Sequence, residues 1–152
     1  MDSLGDRARH TNIETMSQLP PWEEIEHTAD WALRVRGGDL AALFENAALG
    51  MLSLMGGEIE AGGRYQRTIT LQAPDRIVLL VDWLNELLYF IESDEVLLDE
   101  IDVRQVTDTL LKATVRGGRS RNPRRQIKAA SYHNLTIREV PTGYETEIVF
   151  DV

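Results

Sequence analysis

Hydrophobic positions recur along this chain with two different periods, and the switches between them lay out its elements. From Asp30 to Arg36 the period is two. Trp31, Leu33 and Val35 fall on one side, and Asp30, Ala32, Arg34 and Arg36 on the other, which predicts a strand. Gly37-Gly38 ends it, and Asp39 stands where its carboxylate can accept the backbone N–H groups that open a helix. Leu40, Leu43, Phe44, Ala47, Ala48, Met51, Leu52 and Met55 then repeat at three and four, one helix face stopped by Gly56-Gly57. Alternation returns over residues 65–72. Pro74-Asp75 opens a second helix that runs to about Ile91. This helix is apolar apart from the stripe Asp82, Asn85, Glu86 and Tyr89, so it belongs in the core or between sheets.

The rest of the chain reads as strand. Residues 97–106 and 108–116 form a predicted hairpin around Thr107-Asp108, and 127–140 and 143–152 are joined at Pro141-Thr142-Gly143. In the last strand, Tyr144, Thr146, Ile148, Phe150 and Val152 share one face. Two helices among runs of strands indicate an α+β fold, the helices packed on mainly antiparallel sheet. The two successive strand–helix units suggest a distant internal duplication. Residues 1–21 are polar, aperiodic and end in Pro20-Pro21, the mark of a flexible tail, so a single domain is expected over 22–152.

Composition changes this picture only at its surface. With 43% hydrophobic and 27% charged residues in 152, the chain is of the globular class, not the disordered one. No apolar run reaches the ~20 residues of a membrane span. The opening Met1-Asp2-Ser3-Leu4-Gly5-Asp6 does not resemble a secretory signal, so a cytoplasmic location is expected. The absence of cysteine excludes disulfides, thiolate metal sites and cysteine nucleophiles. A net charge of −9 disfavours nucleic acid and suits divalent cations or a basic protein partner. One basic run departs from this: Arg116, Arg119, Arg121, Arg124, Arg125 and Lys128, with no acid between them. Read functionally, it contacts RNA phosphates or a partner surface; read structurally, it is a solvated loop.

Candidate chemistry reduces to carboxylates. No phosphate-cradling glycine loop, dinucleotide fingerprint or serine elbow is present, and His10, His27 and His133 are the only imidazoles. Asp30 lies at a strand edge, Asp151 is next to last, and Val152 carries an α-carboxylate. If the last strand runs beside the first, three carboxylates meet, an arrangement costly in repulsion unless a cation neutralises it. All-oxygen donors suit Ca²⁺, Mg²⁺ or Mn²⁺. Spacing alone leaves the other reading open, in which Asp30 caps a turn and Asp151 is a solvated strand end. Asp82 and Glu86 either extend an acidic site or form a solvated stripe. His27 and His133 either orient a ligating carboxylate or are structural histidines, and Lys128 is placed to pair with a nearby carboxylate.

Five stretches, in order, resemble the archease family: Glu26-His27-Thr28-Ala29-Asp30, Leu43-Phe44-Glu45-Asn46-Ala47-Ala48, Asp82-Trp83-Leu84-Asn85-Glu86-Leu87-Leu88, Lys128-Ala129-Ala130-Ser131-Tyr132-His133 and Ile148-Val149-Phe150-Asp151-Val152. They run from about Trp22 to Val152. The resemblance implies a non-catalytic accessory protein of RtcB-type RNA ligases, which join RNA ends such as tRNA exon halves. It implies that the protein promotes guanylation of the ligase with GTP and divalent metal and so restores turnover. It also implies a metal ion held by Asp30, Asp151 and the terminal carboxylate of Val152. His27, Asp82, Glu86, Lys128 and His133 then either support the metal ligands or face the partner, and Arg119, Arg121, Arg124 and Arg125 are candidates for RNA or partner contact. Two other classes stay in view: a metal-dependent phosphoryl-transfer enzyme, and an RNA-binding adaptor or chaperone acting through residues 116–128.

Overall fold

The computed structural model of this chain describes residues 19–25, 30–121 and 125–152. Strand β1 (Trp22–Ile25) leads into β2 (Trp31–Gly37), helix α1 (Leu40–Met55), β3 (Glu58–Gln72), helix α2 (Arg76–Ser93), β4 (Val96–Val106) and β5 (Leu110–Arg121). The chain closes with β6 (Ala129–Ala130), β7 (Ile137–Val140) and β8 (Gly143–Asp151). The strands make two sheets, one of order β1-β2-β8-β6 with β7 also on β8, the other of order β3-β5-β4. Every pairing is antiparallel. The α+β class expected from the periodicity is what the chain adopts.

Both helices start where a carboxylate caps them. The Asp39 side chain accepts from the Ala42 N–H at 2.8 Å, and the Asp75 side chain from the Val78 N–H at 2.9 Å. Each helix lies between the sheets. Helix α1 packs on β1, β2 and β8 of one sheet and β4 of the other; α2 packs on β6 of the first and on β3, β4 and β5 of the second. That position explains why neither helix has the single narrow apolar stripe of a surface helix. Trp83, Phe44, Met51, Leu80, Leu84 and Leu87 are fully buried. The indole N–H of Trp83 donates to the Phe44 carbonyl at 3.0 Å, tying the two helices together inside the core. No described helix is long and apolar enough to cross a membrane.

The outer face of the larger sheet is a ladder of opposite charges. Arg34 donates to Glu147 at 2.8 Å and to Glu23 at 3.1 Å; Arg36 donates to Glu145 at 3.1 Å and to Glu23 at 3.0 Å. These are cross-strand neighbours, Arg34 opposite Glu147 and Arg36 opposite Glu145, so the pairs reinforce the register of β2 on β8. The hydrogen bond from Arg36 is the largest effect on the Glu23 carboxyl; burial opposes it, and the Arg34 bond together with the two guanidinium charges leaves the pKa below its ordinary value.

Several boundaries differ from the sequence pattern. Strand β1 was not foreseen; Trp-Glu-Glu-Ile is too short to show a period, and its pairing with Ala32–Val35 defines it. Strand β3 begins at Glu58, ahead of residue 65, and carries a register shift between Ile59 and Arg64 that interrupts the alternation. The expected continuous strand over 127–140 is broken. Asn134 takes φ +53°, the Leu135 N–H donates to the Tyr132 carbonyl at 3.2 Å, and Leu135 drops into the core. Tyr132 and His133 therefore lie in a turn and do not alternate across a strand. The hairpin at Thr107-Asp108 is present, its turn closed by Thr107 N–H to the Leu110 carbonyl at 2.8 Å. Residues 1–18 of the expected tail lie outside the described residues.

Two outcomes follow. Trp83→Phe removes the donor to the Phe44 carbonyl and underfills a fully buried site, and the two losses together lower stability by about 1–3 kcal/mol in urea denaturation. Glu23 has a lowered pKa in the fold and an ordinary one unfolded, so its contribution is present above the ordinary carboxylate range and is lost as pH falls through the lowered value. Glu23→Gln therefore destabilises at neutral pH and narrows its deficit in acid, measured as Tm against pH.

Candidate functional site

The charge ladder changes character at one end. Moving along β2 and β8, Arg36 faces Glu145 and Arg34 faces Glu147; then the small and apolar Ala32 faces Val149, and Trp31 faces Phe150. Asp30 directly precedes Trp31 and Asp151 directly follows Phe150, so both acids lie at this end of the sheet. The ladder of opposite charges stops short of them. Asp151 is exposed and Asp30 half-buried.

The end of β8 is held from its other side. Ala129 pairs with Asp151 and Ala130 with Phe150, and the Lys128 N–H donates to the Asp151 carbonyl at 2.8 Å. Beyond β6 stands α2. Asn85 accepts from the Ala130 N–H at 2.8 Å and donates to the Ala130 carbonyl at 3.4 Å. The Tyr132 hydroxyl donates to Asp82 at 2.8 Å, a bond that, together with partial burial, raises the tyrosine pKa. The polar stripe of α2 thereby becomes a mount for the β6 segment.

The structure therefore brings Asp30 and Asp151 to one sheet end, with Val152 next in the chain. Among the described residues, no three His, Cys, Asp or Glu side chains gather closely enough to hold a metal ion. A cation on this pair needs a further donor of another kind, such as a terminal carboxylate or water. The donors present are all hard oxygens, the type that Ca²⁺, Mg²⁺ and Mn²⁺ accept. Of the other candidates, Asp82 is engaged by Tyr132, Glu86 is half-buried on the same helix, and Lys128 is exposed. His133 is exposed, with its ring 3.2 Å from the Asn134 amide. His27 and Arg124 lie outside the described residues.

The basic run is not one loop. Arg116, Arg119 and Arg121 sit on β5, which extends to Arg121. Arg116 lies 3.5 Å from Glu100, and Arg119 lies 3.8 Å from Glu60. Arg125 stacks over the Trp31 ring at 4.6 Å and lies 3.9 Å from Glu24. Arg121 is exposed. Part of this charge is thus balanced by acids across the sheet, which the linear sequence does not display. Trp31, which the alternation sets on one side with Leu33 and Val35, is a half-buried platform for a guanidinium. Asn85 was also missed as an individual; the signal was an amide in an otherwise apolar helix.

Comparison with known proteins places this geometry in a family. Residues 22–152 match the model of the archease protein family (MTH1598/TM1083). The protein archease of Methanosarcina mazei is 33% identical over 144 residues, covering 90% of this chain and 99% of that one. That of Methanothermobacter thermautotrophicus is 27% identical over 139 residues, covering 86% and 98%. Among solved structures, the solution structure of Methanobacterium thermoautotrophicum protein 1598 superposes with a TM-score of 0.63 at 27% identity, covering 87% of this chain and 99% of that one. The crystal structure of the Thermotoga maritima archease shares the fold, with a TM-score of 0.65 at 23% identity over 86% of this chain and 96% of that one. The family model, the curated relatives and the shared fold agree that the chain belongs to the archease family.

Proposed function

We propose that this protein is a non-catalytic accessory factor of an RtcB-type RNA ligase. It binds the ligase, promotes its guanylation by GTP, and so restores multiple turnover in joining RNA ends. The family supports the role, and the observation that supports the site is that Asp30 precedes Trp31 and Asp151 follows Phe150, the last pair of β2 on β8, beyond a ladder of opposite charges. An external cation would balance the two acids at that end of the sheet.

In this reading Asp30, Asp151 and the carboxylate of Val152 hold a divalent cation, Ca²⁺, Mg²⁺ or Mn²⁺. When bound, the cation offsets their repulsion and presents positive charge to phosphate oxygens of the partner's substrate. The protein's own residues do the placing. Pairing of β2 with β8 leaves the two acids at one end of the sheet, and the Lys128–Asp151 backbone bond holds the chain just before Val152. Asp82, Glu86 and the exposed Tyr132 continue an acidic, aromatic surface along α2 toward a basic partner.

The direct test is ligation with a matching RtcB-type ligase, GTP, divalent metal and RNA halves, comparing one round with many. The protein should leave a single round by pre-guanylated ligase unchanged and permit many cycles. Asp30→Asn or Asp151→Asn should each lower the many-cycle yield by about tenfold or more, the scale expected when a metal site loses a supporting group. A ligase that cycles equally well alone removes the proposal. A second measurement needs no ligase. In chelator, Asp151→Asn should be no less stable than the wild type, because one of two acids at the same sheet end is neutralised. Added Ca²⁺ should raise the Tm of the wild type and leave that of the variant where it was. A variant that responds to Ca²⁺ like the wild type counts against the site.

A further inference from the structure

Among the described residues β6 is an edge strand of the larger sheet, with β8 on one side and no strand on the other. An edge strand leaves its outward N–H and C=O groups without a ladder partner. Here the side-chain amide of Asn85 fills that role. Its Oδ1 accepts from the Ala130 N–H at 2.8 Å, and its Nδ2 donates to the Ala130 carbonyl at 3.4 Å. A residue on a neighbouring antiparallel strand would exchange the same pair of bonds with Ala130. Only Asn and Gln carry a planar donor–acceptor pair able to imitate a peptide group in this way. The helix that carries Asn85 is itself fixed two residues earlier, where the buried Trp83 bonds the Phe44 carbonyl.

On its inner side the same short strand positions the end of the chain. Ala129 pairs with Asp151, the Lys128 N–H donates to the Asp151 carbonyl at 2.8 Å, and the Ser131 N–H donates to the Val149 carbonyl at 2.9 Å. A two-residue strand has few bonds of its own, so its place depends on what grips it from both sides. We infer that Asn85 is a positioning residue for the carboxylate pair: by standing in for a missing strand it fixes β6, and through β6 it fixes Asp151. The inference rests on the proposal that Asp151 helps hold a cation, and its geometric half can be measured without one.

The test uses the full chain with Asn85→Leu, which removes both polar groups at similar size, and Asn85→Gln, which keeps them on a longer stem. Amide hydrogen exchange is followed at Lys128 and Ser131, whose N–H groups report β6–β8 pairing, and at Ala113 and Val115 on β5 as a control for the global fold. Terbium luminescence titration gives cation affinity. In Asn85→Leu, exchange at Lys128 and Ser131 should rise about tenfold, the scale of one lost hydrogen bond, with Ala113 and Val115 unchanged. Terbium affinity should fall by a similar factor, and Asn85→Gln should recover part of both. Unchanged exchange at Lys128 and Ser131, or loosened exchange with unaltered terbium affinity, overturns the assignment. If Asn85→Leu loosens the β5 control as well, Asn85→Gln decides: its exchange must fall between wild type and global loss at Lys128 and Ser131 alone. If the wild type binds no terbium, the cation site falls by itself, and the exchange rates still decide whether Asn85 places Asp151.

Discussion

The hydrogen bond from the Trp83 indole to the Phe44 carbonyl sits at the centre of this molecule, and the rest is arranged around what it joins. Phe44 already lies inside α1, so its carbonyl serves a helix partner and Trp83 together. The bond fixes how far each helix stands along the other, with fully buried side chains on every side. From that fixed pair each helix sends out one polar group to a strand. Next to Phe44, Glu45 accepts from the Val103 N–H on β4 at 2.9 Å; two residues past Trp83, Asn85 grips Ala130 on β6. The exchange is crosswise. The helix that follows β2 serves the three-stranded sheet, and the helix that follows β3 serves the other.

Much of this was legible in the residues because the local rules agreed with the global arrangement. Asp39 and Asp75 announced their helices and cap them, and Gly56 stops the first. The hairpin at Thr107-Asp108 came from two alternating runs and one turn. What escaped was structure with no period of its own. β1 exists because Ala32–Val35 offers it an edge, and the break after Ala130 comes from a left-handed Asn134 inside a stretch whose alternation is otherwise good. Partner choice across sheets is likewise invisible in one dimension: Arg116 with Glu100 and Arg119 with Glu60 turn part of an apparent basic loop into balanced strand surface.

The candidate site shows the same division. That Asp30 and Asp151 are acids near two strand ends is plain from the sequence. That they lie at one end of the sheet depends on β2 lying beside β8 in one particular register, and the register is enforced elsewhere, by Arg34 with Glu147 and Arg36 with Glu145. A slip of one residue would face each arginine with the wrong side chain and shift the two strand ends against each other. The charge ladder along the outer face of the sheet thus sets the register on which the candidate site depends.

The Glu45–Val103 bond has a consequence for how this protein behaves in company. β4 forms the outer edge of its sheet, and such an edge is a template on which another chain can add a strand. Val103 is where that template is interrupted: its N–H is engaged by a carboxylate, and the register shift between Val103 and Gln105 bends the strand just beyond. An incoming strand would meet a negative charge and a kink where it needs a donor and a straight run. The contact that locks a helix to its sheet thus also protects the molecule from edge-to-edge aggregation.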